Sequence, residues 1–352
     1  MSGTAEPSAP LLHFATVAAT VREHGLLERA RGFYLTVAIV LAVALGGAVT
    51  GFVLLGESWF HMLIAAGLGI IFTQIAFVAH EASHRQILVS GPANDRLGRI
   101  LATAGVGMSY AWWMNKHSRH HANPNRVGKD PDIAGETIAF LPENAAKRRG
   151  LVGRLTGMQG YLFFPLLTLE GLNLHYQSFA ALAGRGPVKG RWTEIASLVV
   201  RFGLYFGVLF TLLPLGMAFA FLGVQLAVFG VYMGASFAPN HKGMPVVPRD
   251  LKLDFFSKQV RTSRNITGGW WASTLMGGLN HQVAHHLFPN MPRPHLAQAR
   301  RIVREYCQTH QVPYTETSLF RSYGIVISHL NRVGLAARDP FECPVIAQLR
   351  RS

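Results

Sequence analysis

The longest charge-free stretches decide what this chain can fold into. Gly32–Gly56 runs 25 residues without Asp, Glu, Lys or Arg, Ser58–His80 another 23, and Phe202–His241 40. A helix crossing a bilayer needs about 20 apolar residues. The first two runs therefore predict one crossing each. The third predicts two, joined by a tight turn at Pro214-Leu215-Gly216. One such run could be a buried helix of a soluble protein, but four exceed what a soluble core uses.

Charge placement supports this reading and gives it a direction. Charged residues make up only 14% of the chain, yet 33 Lys and Arg face 18 Asp and Glu, a net charge of +15. Basic residues interleaved with aromatics throughout would point to nucleic acid. Here they are excluded from the apolar runs and belong to loops, so no nucleic-acid partner is expected. Arg22, Arg29 and Arg31 precede the first run, Arg85 follows the second, Arg191 and Arg201 precede the third, and Lys242 follows the fourth. The links at Glu57 and Pro214 carry no Lys or Arg. The positive-inside rule makes the basic side cytoplasmic.

The expected fold is an all-α integral membrane protein with four transmembrane helices in two hairpins and a cytosolic helical cap. The segments are an N-terminal cytosolic stretch (1–31), a stem (32–241) and a C-terminal cytosolic cap (242–352). Within the stem, the crossings are 32–56, 58–80, about 196–215 and about 217–239, with a cytosolic segment 81–195 between the hairpins. Both termini are expected inside. Met1–Pro10 lacks the basic start and apolar core of a cleaved signal peptide. Ile100–Met114 and Leu155–Leu169, 15 residues each, are too short to span and belong in the cytosolic part or along the membrane surface; Pro165 should break the second. Cys307 and Cys343 are the only cysteines, which excludes a disulfide framework and a Cys-based metal centre.

The sixteen histidines are not scattered. His80 and His84 form HEASH at the cytoplasmic end of the second crossing. His117, His120 and His121 form HSRHH. His281, His285 and His286 lie in HQVAHH, and His241 stands alone after the fourth crossing. Residues three and four apart share a helix face. Imidazole is the common ligand for first-row transition metals, and no thiolate competes here. One ion takes about four to six ligands, so eight or more histidines at one depth imply two ions. His13, His24, His61, His175, His295, His310 and His329 read instead as surface or hydrogen-bonded residues.

Acidic residues near the boxes fit less directly. A carboxylate-bridged di-iron bundle needs two Glu-x-x-His pairs and further Glu. Only Glu81–His84 has that spacing, so Glu81 is expected to hold a histidine's orientation from behind. Asp130 and Asp132, in GKDPDI, either do the same or cap a turn beside Pro131.

The third box does not repeat the H-x-x-H-H form of the second. Its matching frame starts at Gln282. At about 100° per residue, His285 lies near −60° and His286 near +40° from Gln282, whereas His281 lies near −100°. Gln282 is therefore expected to face the metal, directly or through water. His281 is expected to support from behind or to serve as an alternative ligand.

HEASH, HSRHHANPN and NHQVAHHLFPNMPRPHL resemble the three histidine boxes of the membrane fatty acid desaturases. FAPNHKGMP and GKDPDI also resemble the bacterial acyl-lipid and acyl-CoA branch. The resemblance covers roughly residues 30 to 310. Gln282 is similar to the third box of the front-end subgroup, whose members often carry a fused haem domain; this sequence has no His-Pro-Gly-Gly motif. The resemblance implies two non-haem irons, held by His80, His84, His117, His120, His121, His241, His285 and His286. An Asn used through water by animal relatives, four residues before the isolated histidine, is here Phe237, with Asn240 adjacent.

It also implies O2-dependent removal of two hydrogens from a fatty acyl lipid, acyl-CoA or acyl-carrier thioester, with water as the other product. The metal carries the hard step, so no catalytic side-chain acid, base or nucleophile is expected. Trp112, Trp113, Trp270 and Trp271 flank the boxes and either line the acyl channel or sit as interface aromatics. No haem, Cys-cluster or dinucleotide motif appears, so an external donor such as a ferredoxin or reductase is implied, and the basic cap could dock an acidic one. Anionic membrane lipids are the alternative partner for that charge.

A di-iron hydroxylase or ketolase uses similar boxes, and spacing alone does not separate it; the HHLFP context resembles desaturases. A non-catalytic metal-binding or transport protein would place polar ligands within the crossings. These crossings are nearly free of them.

Overall fold

A computed structural model describes residues 14–135 and 137–336. Met1–Pro10, His13, Cys343 and the last part of the expected cap lie outside the described residues. Sixteen α-helices occur among those described. They are α1 (Phe14–Glu23), α2 (Arg31–Leu54), α3 (His61–Ser83), α4 (Gly91–Arg99), α5 (Tyr110–Ala122), α6 (Pro142–Ala146), α7 (Gly150–Thr156) and α8 (Gln159–Leu167). After these come α9 (Glu170–Ala183), α10 (Arg191–Leu212), α11 (Leu215–His241), α12 (Phe255–Thr262), α13 (Gly269–Leu275), α14 (Gln282–Leu287), α15 (Leu296–Thr309) and α16 (Leu319–Ala336). Among the described residues the sheet is a parallel pair, β1 (Asn265–Thr267) with β2 (Glu316–Ser318).

Among the described residues, four helices are long and apolar enough to cross a membrane: α2, α3, α10 and α11. Their bounds move outward or along the chain from the charge-free runs. α3 starts at His61 and runs through the first histidine box to Ser83, and α10 starts at Arg191. The charge rule stopped at Glu194 and Arg201, but a helix can carry charges that find partners. Glu194 is fully buried, with its carboxylate accepting from Ser109 Oγ at 2.5 Å and from Ala111 N at 3.0 Å, beside Arg99. An anion at a helix N-terminus is favourable. Here it fixes the start of α5, which Ser109 also caps by accepting from Trp112 N.

The helices of the stem pack unequally. α2 buries only Tyr34, as expected for a helix facing lipid, whereas α3 and α11 bury much of their length against each other. α9 packs on α11 at a backbone-to-backbone approach: a Cβ at Gly230 would come within 2.3 Å of Leu167 O and 2.5 Å of Gly171 N. Around the α3–α11 contact lies the main core, including Phe72, Phe77, Phe221 and Phe229. A second core under α1, α12, α14 and α15 holds Phe256, Val283, Leu287 and Val303.

The two short apolar runs divide. Ile100–Val106 is a π-helix that ends at Gly107 (φ 96°), where a Cβ would meet Phe202 at 2.9 Å. α5 then starts afresh at Tyr110, so one apolar run becomes two elements. Pro165 does not break its run as expected; it lies inside α8, which ends two residues later at Leu167.

Candidate metal centre

α3 delivers His80 from its last turn and His84 just past its end, α5 delivers His117, His120 and His121, α11 ends on His241, and α14 carries Gln282, His285 and His286. The side chains converge as two sets. His80, His84, His117, His121 and His285 bring one ligand atom each within 4.8 Å of one another, and His120, His241 and His286 do the same. The spacing inside each set is short. His117 Nε2 lies 3.1 Å from His80 Nε2 and 2.8 Å from His84 Nε2. His120 Nε2 and His241 Nε2 are 3.2 Å apart, and the Gln282 amide nitrogen is 2.8 Å from His241 Nε2. His121 and His286 stack at 4.2 Å and join the sets.

This arrangement tests whether a metal fits. Nitrogens bound at right angles to an ion at about 2.1 Å would lie about 3 Å apart, which matches the histidine contacts. The Nε2 atoms of His121, His285 and His286 and Oε1 of Gln282 are buried without a partner, a cost that a bound cation removes. The residues fit first-row transition ions.

The far sides of the rings are fixed. His120 Nδ1 lies 3.1 Å from both oxygens of Asp130 and 3.4 Å from Asp132. His241 Nδ1 donates to Thr262 O at 3.0 Å, and His286 Nδ1 to Gln259 Oε1 at 2.9 Å. Each contact puts the proton on Nδ1 and leaves an Nε2 lone pair for a metal. Gln259 also donates to His121 O at 2.9 Å, so one buried amide links the second and third boxes.

Electrostatics agree. Burial, then the neighbouring histidines, hold His117, His121, His285 and His286 well below the usual imidazole range, and burial lowers His84 to about 3. His120 is the exception. Burial opposes its charge, but Asp132 and Asp130 outweigh it and raise the ring. Apart from His120, these rings are held toward the neutral form that binds a metal, with carboxylates behind only the second set.

Several expectations change. Glu81 does not support a histidine. It forms a buried bidentate pair with Arg293, at 2.5 and 2.7 Å, because helix geometry turns it away from the face shared by His80 and His84. Asp130 serves both roles offered for it, accepting from His120 and from Asn125 N and Asp132 N in the following turn. His281 precedes α14 in a 3-10 turn, and its Nε2 meets Ser273 Oγ at 3.0 Å instead of the clusters. Asn240 turns back to donate to Ser236 O.

The aromatic pairs also separate. Trp113 stacks on His117 at 4.3 Å and lines an apolar cavity with Ala79, His80, Val106, Met233 and Phe237. Trp270 is 81% exposed and lies at the surface with Trp271. Of the histidines set aside, His61 reaches Gly56 O, His175 reaches Gly107 O and His295 reaches Leu26 O.

Sequence reading missed Gln259, Thr262 and Arg293. Gln259 and Thr262 belong to no motif, and Arg293, although inside the stretch quoted for the third box, carries no histidine signal; their roles exist only once α12 and the chain after α14 fold against the boxes. Arg264 was missed too; fully buried, it donates to the carbonyls of Pro239 and Lys242 on either side of His241.

Residues 57–318 match the Fatty acid desaturase family. The chain is 29% identical over 321 residues to the Delta(8)-fatty-acid desaturase of Helianthus annuus, covering 85% of this chain and 68% of that one. It is 27% identical to a Delta 8-(E)-sphingolipid desaturase of Kluyveromyces lactis, over 83% of this chain and 54% of the relative. It is 28% identical to the Acyl-lipid (9-3)-desaturase of Borago officinalis, over 79% and 65%. The chain belongs to the fatty acid desaturase family. It is an acyl desaturase, an oxidoreductase of a family that generally depends on two irons.

Proposed function

We propose that His80, His84, His117, His121 and His285 hold one iron, and that His120, His241, His286 and Gln282 hold the second. The observation that carries this is the convergence of two histidine sets with imidazole nitrogens 2.8–3.2 Å apart. Iron bound there supplies the O2-dependent removal of hydrogen from an unactivated CH2. The chain's own residues position and enclose. Asp130, Thr262 and Gln259 hold their rings to one tautomer and direction. Gln282 gives the second set a neutral amide where the second box's form would place an imidazole. Trp113, Met233 and Phe237 form an apolar wall beside His80, and widening of that small cavity would let an acyl chain present its CH2 groups to the first set. No side chain in that wall offers an acid or base, which suits a reaction at an apolar carbon.

In this reading α2–α3 and α10–α11 are two hairpins, and the histidine-bearing ends, the cap and both termini are cytoplasmic. The substrate is a fatty acyl chain on a lipid, as the names of the relatives suggest, and the electrons come from an external carrier. Expression in a host of known lipid composition tests the reading. A new unsaturated acyl species is expected, absent from the His84→Ala variant; a hydroxy acid or an unchanged profile would overturn it.

A further inference from the structure

Seven cations lie in or beside the second box and α12: Arg119, Arg126, Lys129, Arg249, Lys252, Lys258 and Arg261. No described carboxylate lies within 4.0 Å of any of them. The acids in the same stretches are Asp250, Asp254, whose carboxylate caps α12, and buried Asp130, which faces His120. The two stretches meet. Arg126 donates to Arg249 O at 2.9 Å, and Lys258 donates to Ala122 O at 2.7 Å. Burial and then the charges of Arg126 and Lys129 depress the Lys258 ammonium, so these cations sit close enough to repel one another. Leu251 and Phe255 are 47% and 44% exposed beside them. Unneutralised charge around a small apolar centre costs the free protein something and suits a charged protein partner.

The patch is close to the metal centre. Trp113 meets stem residues Ala79 and Met233 across the cavity, whereas Ala122 lies nine residues further along α5, about 14 Å at 1.5 Å per residue. Lys258 neighbours Gln259, which accepts from His286, and Ala122 neighbours His121. The surface is therefore the outer side of the groups that hold both sets.

The reaction needs such a partner. Forming a double bond removes two hydrogens, hence two electrons and two protons, from the acyl chain. Reducing O2 to two waters takes four of each. Two electrons and two protons must come from outside, and Cys307 and Cys343, with no Cys-x-x-Cys or Cys-x-His spacing, form no iron–sulfur motif in this sequence. We infer that Arg126, Lys129, Arg249 and Lys258 form the docking surface for a small acidic electron-carrier protein, which gives up one electron per visit, two visits per double bond. This rests on the desaturase reading and adds the place where electrons enter.

The test uses the full iron-loaded chain in anionic-lipid nanodiscs and a reduced acidic [2Fe–2S] ferredoxin, with the rate of iron reduction followed by stopped flow. Lys129→Glu/Arg249→Glu changes two exposed side chains with no role at the metal. At low salt the variant should lose tenfold or more in the second-order rate, and the gap should close at high salt. A small photoreductant should reduce both proteins equally. The same rate in variant and parent, a salt-independent parent, or a larger loss from Lys147→Glu/Arg149→Glu overturns the proposal. So does a loss that appears with the photoreductant or changes with anionic lipid content, which would make the patch a membrane contact. Product analysis is separate: normal iron reduction with no unsaturated product would refute the desaturase reading and leave the docking result standing.

Discussion

Replacing Arg293 with methionine should destabilise the protein far more than removing both charges of its pair. Arg293 is 7% exposed and Glu81 2%, and they share two short hydrogen bonds. Arg293→Met keeps the stem of the side chain but strands a carboxylate inside the protein, one residue from His80 and three from His84. Breaking a buried pair from one side costs about 3–5 kcal/mol. At roughly 1.4 °C per kcal/mol for a chain of this length, the melting temperature should fall by about 4–7 °C. Glu81→Gln/Arg293→Met leaves no stranded charge and should recover most of that loss, giving a coupling of at least about 2 kcal/mol in the double-mutant cycle. Thermal unfolding in one detergent at fixed iron loading provides the readout. If the single variant melts within 2 °C of the parent, or if the double variant is as unstable as the single one, the pair does not hold α3 to the chain after α14, and the reasoning fails.

Four other outcomes follow from the same geometry. Gln259→Leu removes the acceptor of His286 and the donor to His121 O, and should weaken iron retention against a chelator about 10–100-fold, with Gln259→Glu retaining more; equal retention in all three would contradict the role. Gln282→Ala should lose iron from the second set while His281→Ala keeps both irons, read by metal analysis; the reverse would place the wrong residue at the site. Iron-free protein should lose stability as pH falls from about 6.5 toward 3, because His84 is held near 3 when folded, so the unfolded chain binds more protons across that window. His120, raised by its carboxylates against the effect of burial, works in the opposite sense, and a flat melting curve over this range would contradict the buried neutral cluster. Glu57→Cys should be labelled by an impermeant reagent from outside the cell and Lys129→Cys only after permeabilisation; the opposite pattern would invert the topology.

The sequence revealed what depends on local spacing. Charge-free length located four helices, and three- and four-residue intervals marked histidines that the structure brings together. The angle from Gln282 separated it from His281, which the chain turns toward Ser273 in a preceding 3-10 turn. Long-range contacts stayed hidden. Glu81 looked like a histidine support because its neighbours in sequence are histidines, yet its partner is 212 residues away. The start of α10 was misplaced because a charge rule ends a crossing at Glu194, which in the fold caps α5. Gln259 and Thr262 carry no motif, since a lone amide and a backbone carbonyl gain meaning only from the ring placed against them.

The central claim is that one chain holds two irons in unequal sets. Metal analysis with Mössbauer spectroscopy on iron-57-loaded protein tests it directly. Two irons per chain are expected. His84→Ala/His117→Ala should leave the iron of the second set, and His241→Ala should leave that of the first, with different spectra. One iron or none in the unaltered chain, or loss of the same signal in both variants, would contradict the account.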